Sequence, residues 1–548
     1  MRPHIPNTLV PLLAAVIFFP SVATPSHTLL RSSCISARHP DLCFSSISAS
    51  PSLLQSISSP KDVIRASLNL TLAAVHRSIA GAKIISALPN LTPREHAAVQ
   101  DCLEMFDETL DELRRADSDL RSYAPGHSNA KSLSRLAADL KIMISAAITN
   151  QESCADGFSH ASDDRRLRGA ILKGLTHIEH LCQNALAMIK NMTDGDIAAA
   201  ATADPRKLAD RHAGRFPAWI KAGDRRLLQS TAVTADVTVA ADGSGNFSTI
   251  AEAVAAAPAK SSRRYVIRIK AGVYEEIVEV PKKKTNIMFV GDGRTKTVIT
   301  GSRNVVDGWT TFRSATLAAV GAHFLARDLR IQNTAGPSKH QAVALRVGSD
   351  LSAFFDCDII GHQDTLYVHS LRQFFRRCLI QGTVDFIFGN SAAVFQDCDI
   401  RARRPSPGQK NMITAQGRSD PDEPTGIVLH SCRIDAADDL ATANNSSFAT
   451  YLGRPWKEFS RTVVMRSEIG GLVRPEGWHE WNLDFGLDTL FYGEYENRGP
   501  GAGTAGRVKW KGYRVIVDAA EAEEFTAGKF IEGSDWLGET GFPFSLGL

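Results

Sequence analysis

Two acidic residues are the first candidates for chemistry in this 548-residue sequence. Asp364 lies in the stretch GHQDTLY, and Asp385 lies 21 residues later in GTVDFIFG. Two carboxyl groups held close together do not ionise independently, because their repulsion raises one pKa and lets the pair hold one proton near neutral pH. One member can then donate a proton while the other attacks or abstracts one.

Four other side chains extend this set. Gln341 precedes Gln363 by 22 residues, and their amide N–H groups suit a developing oxyanion. Arg454, in YLGRPW, suits a bidentate contact with a carboxylate, and Trp456 offers a flat face for a sugar ring. Each piece has a simpler alternative, since Asp can cap turns, Gln can form ladders and Arg can stack on Trp at a surface. Their conjunction favours a catalytic site.

The neighbours of Asp385 pose a problem for any purely structural role. Val384, Phe386 and Ile387 have the character of a buried strand, in which Asp is disfavoured and an unpaired carboxylate is costly. We therefore expect Asp385 in a strand that forms the floor of a cleft, where Arg454 and a second carboxylic acid compensate its charge.

An internal repeat indicates the elements that position these residues. The pattern Phe/Leu-x-x-Cys-x-Ile occurs in FFDCDI, FRRCLI, FQDCDI and LHSCRI, at residues 354–359, 375–380, 395–400 and 429–434. A period of about 20 residues made of short strands predicts a parallel β-solenoid, in which residues one period apart lie on adjacent coils. Asp364 and Asp385 should then be neighbours. The alternative is an antiparallel sandwich with coincidental similarity.

The N-terminal half follows a different pattern. Residues 28–195 carry apolar positions at helical spacing, as in AVQDCLEMFDETLDELRRADSDL, which predicts a helical bundle. Residues 196–230 are rich in Ala, Gly, Pro and basic side chains and are interpreted as a linker, and residues 231–548 form the strand-rich part. Arg225-Arg226 in the linker is a candidate site for a processing protease, with a charged exposed loop as the alternative.

The nine cysteines fit an oxidising compartment. Cys34 and Cys43 are close enough in sequence to close a local hairpin, and Cys102 could join Cys154, which would leave Cys182 free. The three pairings of the first four cysteines stay open on sequence alone. In the solenoid, stacking brings three further pairs within disulfide reach: Cys357–Cys378, Cys378–Cys398 and Cys398–Cys432.

Residues 1–25 have the features of a secretory signal peptide, with Arg2 and His4 before an apolar run and small residues after it. A short membrane anchor is the alternative, but Pro11 and Pro20 interrupt the run. N-x-S/T sequons suit a secreted chain and occur at Asn69, Asn90, Asn191, Asn246, Asn444 and Asn445. A net charge of +3 argues against a nucleic-acid partner.

The strand-rich part resembles the plant pectin methylesterases, or pectinesterases. The resemblance is carried by GVYEE, HQAVAL, GHQDTLY, GTVDFIFG, LGRPW, GWHEWN and FYGEYENRGPGA. The helical part resembles the inhibitor-like pro-region that precedes many such enzymes, through QESCADGF and AVQDCLEMFDETLDEL. The fold that this implies is an up-and-down four-helix bundle followed by a right-handed parallel β-helix.

The resemblance implies a role for each candidate residue. Asp385 would attack the carbonyl carbon of a galacturonosyl methyl ester, and Asp364 would protonate the departing methanol and then activate water. Gln341 and Gln363 would line the oxyanion site, and Arg454 would hold Asp385.

Three further positions follow from the same resemblance. Trp456 and Thr311 would contact the sugar chain. His362 stands where the family usually has Tyr, so that it either tunes the pH response or replaces one half-buried ring by another. The resemblance implies no metal and no organic cofactor.

The implied partner is pectin, as methyl-esterified homogalacturonan, and the implied location is the cell wall, with no membrane attachment after signal removal. The helical part would act as an intramolecular inhibitor until it is cut off; the alternative is that it mainly assists folding or retention in the secretory route. Two competing functions remain: a pectin depolymerase that uses two carboxylates on a glycosidic bond, and a non-catalytic inhibitor or wall-binding protein.

Overall fold

The protein is described by a computed structural model that covers residues 25–125, 130–159, 165–203, 234–443 and 448–548. The predicted signal peptide, Arg225-Arg226 and the sequons at Asn444 and Asn445 lie outside the described residues. Those predictions therefore stay predictions.

The N-terminal part is helical, and its four long helices form the predicted up-and-down bundle. The helices are α1 Pro25–Ile35, α2 Pro40–Ser48, α3 Pro51–Gln55, α4 Pro60–Ser86, α5 Pro93–Ser122, α6 Ala130–Asp156 and α7 Arg165–Ala203. Helix α5 packs on α4 and α6, and α7 packs on α4 and α6, so that the four helices enclose one core. The helical part of the predicted fold class is confirmed.

Sequence signals explain where α5 begins and how it is oriented. Thr92 caps the helix and forms a capping box with Glu95, and Pro93 occupies its first turn. The apolar face of α5 is buried in the bundle, as its 3–4 spacing predicts. The Cys102–Cys154 disulfide joins α5 to α6.

The other helical cysteines also follow one of the pairings left open by the sequence. Cys34 and Cys43 form a disulfide between α1 and α2, and Cys182 is a buried free thiol. Burial raises the pKa of the Cys182 thiol above its ordinary value, so that it acts as a small apolar side chain.

The last helix extends into the predicted linker. Helix α7 continues to Ala203, so that residues 196–203 of the predicted linker are helical. Residues 197–203 have the sequence IAAAATA, and Ala has the highest intrinsic helix propensity. The predicted division of the chain into regions stays a prediction.

The C-terminal part consists of three parallel sheets wound into one solenoid. The first sheet contains β1 Val237–Val239, β2 Tyr265–Ile269, β5 Ile287–Gly291, β8 Leu325–Arg327, β11 Ser352–Phe355, β14 Arg372–Arg376, β17 Ala392–Gln396, β20 Gly426–His430, β23 Arg461–Met465, β25 Phe491–Tyr495 and β26 Tyr513–Val515. The second contains β3 Gly272–Glu275, β6 Thr297–Gly301, β9 Arg330–Asn333, β12 Asp358–Ile360, β15 Leu379–Gly382, β18 Asp399–Ala402, β21 Arg433–Ala436 and β24 Glu468–Ile469. The third contains β4 Val278–Val280, β7 Leu317–Ala319, β10 Leu345–Val347, β13 Leu366–Val368, β16 Ile387–Gly389, β19 Asn411–Gln416 and β22 Thr450–Pro455. This is the predicted right-handed parallel β-helix.

The predicted repeat sets the register of the coils. Asp358 pairs with Leu379, Leu379 with Asp399, and Asp399 with Arg433, so that the cysteines one residue earlier in each coil stack. The ring of Phe375 stacks between those of neighbouring coils, with centroids 4.9 Å from Phe354 and 4.6 Å from Phe395. The antiparallel alternative is excluded.

The stacked cysteines do not form the disulfides that the sequence left open. Cys357, Cys378, Cys398 and Cys432 are buried free thiols in the structure. Each follows a residue with positive φ, such as Asp356 at 50°. This left-handed residue makes the sharp corner between the first and second sheets, and the thiol then fills the core behind it.

Short helices flank the solenoid. They are α8 Ile250–Ala256, α9 Asp438–Ala441, α10 Ala519–Glu523, α11 Ala527–Phe530 and α12 Gly533–Thr540, with 3₁₀ turns at Phe312–Ser314 and Pro337–Lys339. Across the described ranges, no helix is long and apolar enough to cross a bilayer.

Candidate active site

The two candidate carboxylates lie in equivalent turns of neighbouring coils. Asp364 comes just before β13 and Asp385 just before β16, and these strands pair through Leu366 and Ile387. The main-chain N–H of Asp364 donates to the carbonyl oxygen of Val384 at 3.0 Å. The structure therefore places the two aspartates one coil apart, as the 21-residue step predicts.

The prediction that Asp385 lies within a strand is wrong. Residues 383–386 form the turn between β15 and β16, and φ is 51° at Asp385 and 61° at Asp364. Asp tolerates this left-handed conformation better than most residues, and such strained positions cluster at functional sites. The turn directs the carboxylate into a cavity while the flanking Val384 and Phe386 stay in the core.

Arg454 holds Asp385 through two parallel hydrogen bonds. Nε of Arg454 donates to Oδ1 of Asp385 at 2.8 Å, and Nη2 donates to Oδ2 at 2.6 Å. The guanidinium carbon also lies 4.3 Å from the centre of the Trp481 ring. A bidentate, charge-assisted contact both orients the carboxylate and compensates its charge, which answers the problem of placing Asp385 among apolar residues.

Asp364 lies in an environment that favours its protonated form, whereas Arg454 favours the ionised form of Asp385. Burial raises the pKa of Asp364 well above its ordinary value, the negative charge of Asp385 raises it further, and Arg454 opposes the shift. Asp364 therefore keeps its proton at a pH where an exposed Asp has lost it. The pair combines a proton donor with an oriented carboxylate, which is the division of labour that acid–base catalysis needs.

The raised pKa of Asp364 also predicts a stability effect. Below the ordinary pKa of Asp, the carboxyl group is protonated in both the folded and the unfolded chain, and it does not affect the free energy of unfolding. As the pH rises from that value towards the higher pKa of the folded state, only the unfolded chain releases the proton. The free energy of unfolding therefore falls with rising pH in this range. Asp364→Asn in residues 234–548 should therefore stabilise the fold more at pH 7 than at pH 3.

Thermal unfolding at the two pH values measures this difference. The exposed Asp484 provides a control, since Asp484→Asn should change the Tm equally little at both. An Asp364→Asn variant whose Tm shift is the same at pH 3 and pH 7 contradicts the buried, protonated state.

The two candidate glutamines lie on adjacent coils but not directly opposite each other. Strands β10 and β13 pair with a step of 21 residues, so that Gln341 faces His362, and the N–H of Ala342 donates to the carbonyl oxygen of Gln363 at 3.2 Å. The Oε1 atom of Gln363 is buried without a hydrogen-bond partner among the described residues. Both side chains nevertheless line the same cavity.

All of the predicted site residues converge on one cavity of about 370 Å³. They are Thr311, Gln341, Gln363, Asp364, Asp385, Arg454 and Trp456. Sequence reasoning placed them together through the solenoid period and through the motifs around them.

The floor of the cavity contains aromatic residues that sequence reasoning did not single out. Tyr367 and Phe388 stack with ring centroids 4.3 Å apart, and Phe312 and Trp481 complete the apolar lining. The sequence does contain a signal for these rings, because Tyr367 and Phe388 are one 21-residue step apart, and the structure pairs them in register. Stacked rings on an outward face of the solenoid suit a sugar chain.

Part of the cavity wall belongs to the helical bundle. Ser153 and Asp156 of α6, Gly157 and Ser159 beyond it, and Arg94 of α5 line the cavity together with the carboxylates. Oγ of Ser153 lies 2.8 Å from Nε2 of His369 and 3.2 Å from the hydroxyl of Tyr367. The bundle thus sits directly on the aromatic floor.

Charged contacts hold the bundle on both sides of the cavity. Nζ of Lys457 lies 3.8 Å from Asp156 and 4.0 Å from Glu152. Burial acts to lower the pKa of Lys457, but the charges of Glu152 and Asp156 raise it above its ordinary value. On the other side, Nε of Arg313 lies 2.5 Å from Oδ1 of Asp101 in α5.

His362, the departure from the expected tyrosine, is half-buried beside the site. Burial lowers the pKa of His362 to about 4, and the neighbouring Arg403 contributes to the shift. The imidazole is therefore neutral above that pH, which favours its interpretation as a replacement ring over that of a pH sensor.

Residues 236–534 match the family model described as "Pectinesterase". The chain belongs to the pectinesterase family. Residues 28–188 match a second model, "Plant invertase/pectin methylesterase inhibitor". We call residues 234–548 the pectinesterase region and residues 25–203 the inhibitor-like region.

Relatives with the same organisation cover nearly the whole chain. "Pectinesterase/pectinesterase inhibitor 3" of Arabidopsis thaliana is 60% identical over 550 aligned positions, which cover 96% of this chain and 92% of that protein. "Pectinesterase 1" of Citrus sinensis is 61% identical over 526, covering 96% and 89%. The protein is thus a pectinesterase with an inhibitor-like N-terminal region, and the predicted enzyme class is confirmed.

A solved structure supports the fold of the pectinesterase region. Pectin methylesterase from carrot is 66% identical, with a TM-score of 0.58, and the match covers 58% of this chain and 100% of that chain. A relative of that extent consists of little more than a pectinesterase region, so that residues 234–548 are expected to fold without the inhibitor-like region.

Proposed function

We propose that the pectinesterase region hydrolyses methyl esters of galacturonosyl residues in pectin through an acyl-enzyme formed on Asp385. One observation carries the proposal. A buried Asp364 with a raised pKa lies one coil from a carboxylate that Arg454 orients by two hydrogen bonds.

The first half-reaction forms the acyl-enzyme. An Oδ atom of Asp385 attacks the ester carbonyl carbon, and the carbonyl oxygen becomes an oxyanion that the amide N–H groups of Gln341 and Gln363 stabilise. The tetrahedral intermediate collapses, the bond to the methoxy group breaks, and Asp364 gives its proton to the departing oxygen. Methanol leaves, and Asp364 is now a carboxylate.

The second half-reaction regenerates the enzyme. The Asp364 carboxylate takes a proton from a water molecule, whose oxygen attacks the same carbonyl carbon of the mixed anhydride. The bond to Asp385 breaks, which releases a galacturonate carboxylic acid and leaves Asp364 protonated and Asp385 ionised. Trp456 and Thr311, which line the cavity, would contact the sugar chain during both steps.

Methanol release without new reducing ends tests this reaction. The pectinesterase region, given highly methyl-esterified pectin, should release methanol and create free carboxylates while the number of reducing ends stays constant. A depolymerase would instead create one reducing end for every bond cut. The proposal is contradicted if no methanol is released, or if the number of reducing ends rises as the pectin is consumed.

We further propose that the inhibitor-like region blocks the active site until it is removed. Support comes from its place in the cavity wall, where Ser153 and Asp156 line the same cavity as the two carboxylates. Cleavage by a processing protease at Arg225-Arg226 would separate the two regions.

We also infer that the chain is secreted to the cell wall, where pectin occurs. The apolar run in residues 1–25, the two disulfides and the exposed sequon asparagines Asn69, Asn90, Asn191 and Asn246 support this inference. N-terminal sequencing of the extracellular protein tests it, because a chain that still begins at Met1 contradicts removal of a signal peptide.

A further inference from the structure

Two arginines of the pectinesterase region close around one carboxylate of the inhibitor-like region. Glu104 of α5 lies with Oε2 2.9 Å from Nη2 of Arg313 and with Oε1 3.5 Å from Nη2 of Arg346. Arg313 follows the cavity residue Phe312 directly, and Arg346 lies in the middle of β10. The carboxylate of Glu104 therefore bridges two cations beside the active-site cavity.

Most of the hydrogen-bond donors of Arg346 have no partner in this arrangement of the described residues. Its side chain is 4% exposed, and its guanidinium carbon lies 3.4 Å from the centre of the Phe312 ring. Its Nε and Nη1 atoms are buried without hydrogen-bond partners among the described residues. Unpaired buried donors on a charged group are costly, and the 3.5 Å contact with Glu104 is at the limit of a hydrogen bond. Glu104 is thus an incomplete ligand for a site that could accept a better-placed carboxylate.

The strand register places this site in line with the aromatic floor of the cavity. Arg346, Tyr367, Phe388, Ala415 and Arg454 pair in register across β10, β13, β16, β19 and β22. Neighbouring strands are about 4.8 Å apart, so the row runs along the solenoid axis as an aromatic floor with a guanidinium at each end. Arg454 binds the proposed nucleophile at one end, and Arg346 lies at the other.

We propose that Arg313 and Arg346 form a subsite for a free carboxylate of the galacturonan chain, and that Glu104 occupies this subsite in the full-length protein. The proposal rests on the proposed function, because it assumes that the chain lies along the row with an ester at Asp385. A methyl ester carries no negative charge, so it cannot form the bidentate ion pair that a carboxylate makes with a guanidinium. The subsite therefore selects substrates in which a unit near the reacting ester has already lost its methyl group.

A purely structural role of Arg313 and Arg346 would leave substrate recognition unchanged. If Arg313 and Arg346 served only to hold α5, their replacement would weaken the contact with the inhibitor-like region but would not affect the isolated pectinesterase region. The test therefore uses residues 234–548, in which Glu104 is absent.

Direct binding provides the first measurement. A fully de-esterified oligogalacturonate has no ester to hydrolyse, so that its affinity, measured by titration calorimetry, does not depend on the proposed catalytic mechanism. Arg346→Gln and Arg313→Gln should each weaken binding by about tenfold or more, through loss of a charge-assisted hydrogen bond. Arg268→Gln is the matched control, since Arg268 is 53% exposed and pairs with Asp292 away from the cavity.

Kinetics with two ester substrates provides the second measurement. For a partly de-esterified oligomer, Arg346→Gln should raise KM by about tenfold with little change in kcat, whereas KM for the fully methyl-esterified oligomer should stay within about twofold of wild type. If Arg346→Gln fails to fold by circular dichroism, Arg313→Gln and Arg346→Lys take its place. Equal effects on both substrates, or unchanged affinity for the oligogalacturonate, overturn the subsite. Methanol release by the unmodified region reports separately on the proposed function.

Discussion

Replacing Asp385 with asparagine in the pectinesterase region should lower kcat on methyl-esterified pectin by roughly four orders of magnitude. The asparagine keeps the size of the side chain and can still accept one hydrogen bond from Arg454. Its amide is a very weak nucleophile, so that the acyl-enzyme does not form, and only oxyanion stabilisation and substrate positioning remain. KM should change little, because the groups that contact the sugar chain stay in place.

Asp399→Asn is the matched control for this variant. Asp399 also pairs with an arginine, at 2.6 Å from Nε of Arg401, but it lies on the second sheet and does not line the cavity. Methanol release by the control should equal that of the wild type. If the folded Asp385→Asn protein keeps more than about a hundredth of wild-type kcat, Asp385 is not the nucleophile.

The solenoid period made much of this site predictable. A step of 21 residues links Cys357 to Cys378 and also Asp364 to Asp385, so that a pattern in the core carries information about the outer face. In a parallel β-helix, register is a property of the whole coil, and one repeat fixes the neighbours of every residue in it. The roles assigned to these residues came from the family motifs and stay predictions.

Backbone conformation was less predictable than register. The apolar neighbours of Asp385 favoured a strand, yet the residue adopts φ of 51° in a turn. Local propensity describes an average residue in a strand and does not account for a turn that the adjacent coils hold in a strained conformation. The one-residue offset between Gln341 and Gln363 likewise depends on the coil corner rather than on any motif.

Contacts between the inhibitor-like region and the pectinesterase region could not be predicted from the helical spacing of the first or from the solenoid period of the second. Ser153 faces Tyr367 and His369 across more than two hundred residues of sequence, and Glu104 bridges Arg313 and Arg346. Helical spacing shows only which side of α5 or α6 is apolar, and many polar residues on the other side are equally suited to solvent. Which of them meets the cavity depends on how the two folded regions dock.

The uncut chain should hydrolyse pectin at least about 100-fold more slowly than residues 234–548. A tethered inhibitor acts at an effective concentration of the order of millimolar, so that even a modest interface stays closed. Reversing a charge at that interface should open it without cleavage. Nζ of Lys457 lies 4.0 Å from the carboxylate of Glu152, so that Glu152→Lys puts a second cation beside Lys457. The repulsion between the two cations should raise the methanol release of the full-length chain.

Asp41→Lys is the control for that reversal, because Asp41 is exposed on α2 and the change in net charge is the same. Cleavage near Arg226 alone converts the closed state from an intramolecular to a bimolecular equilibrium, and the inhibitor-like region then dissociates only when the protein is dilute. The cut protein should therefore gain activity per molecule on dilution, whereas the uncut protein should not. A full-length chain as active as residues 234–548 would mean that the docked bundle does not exclude the polymer.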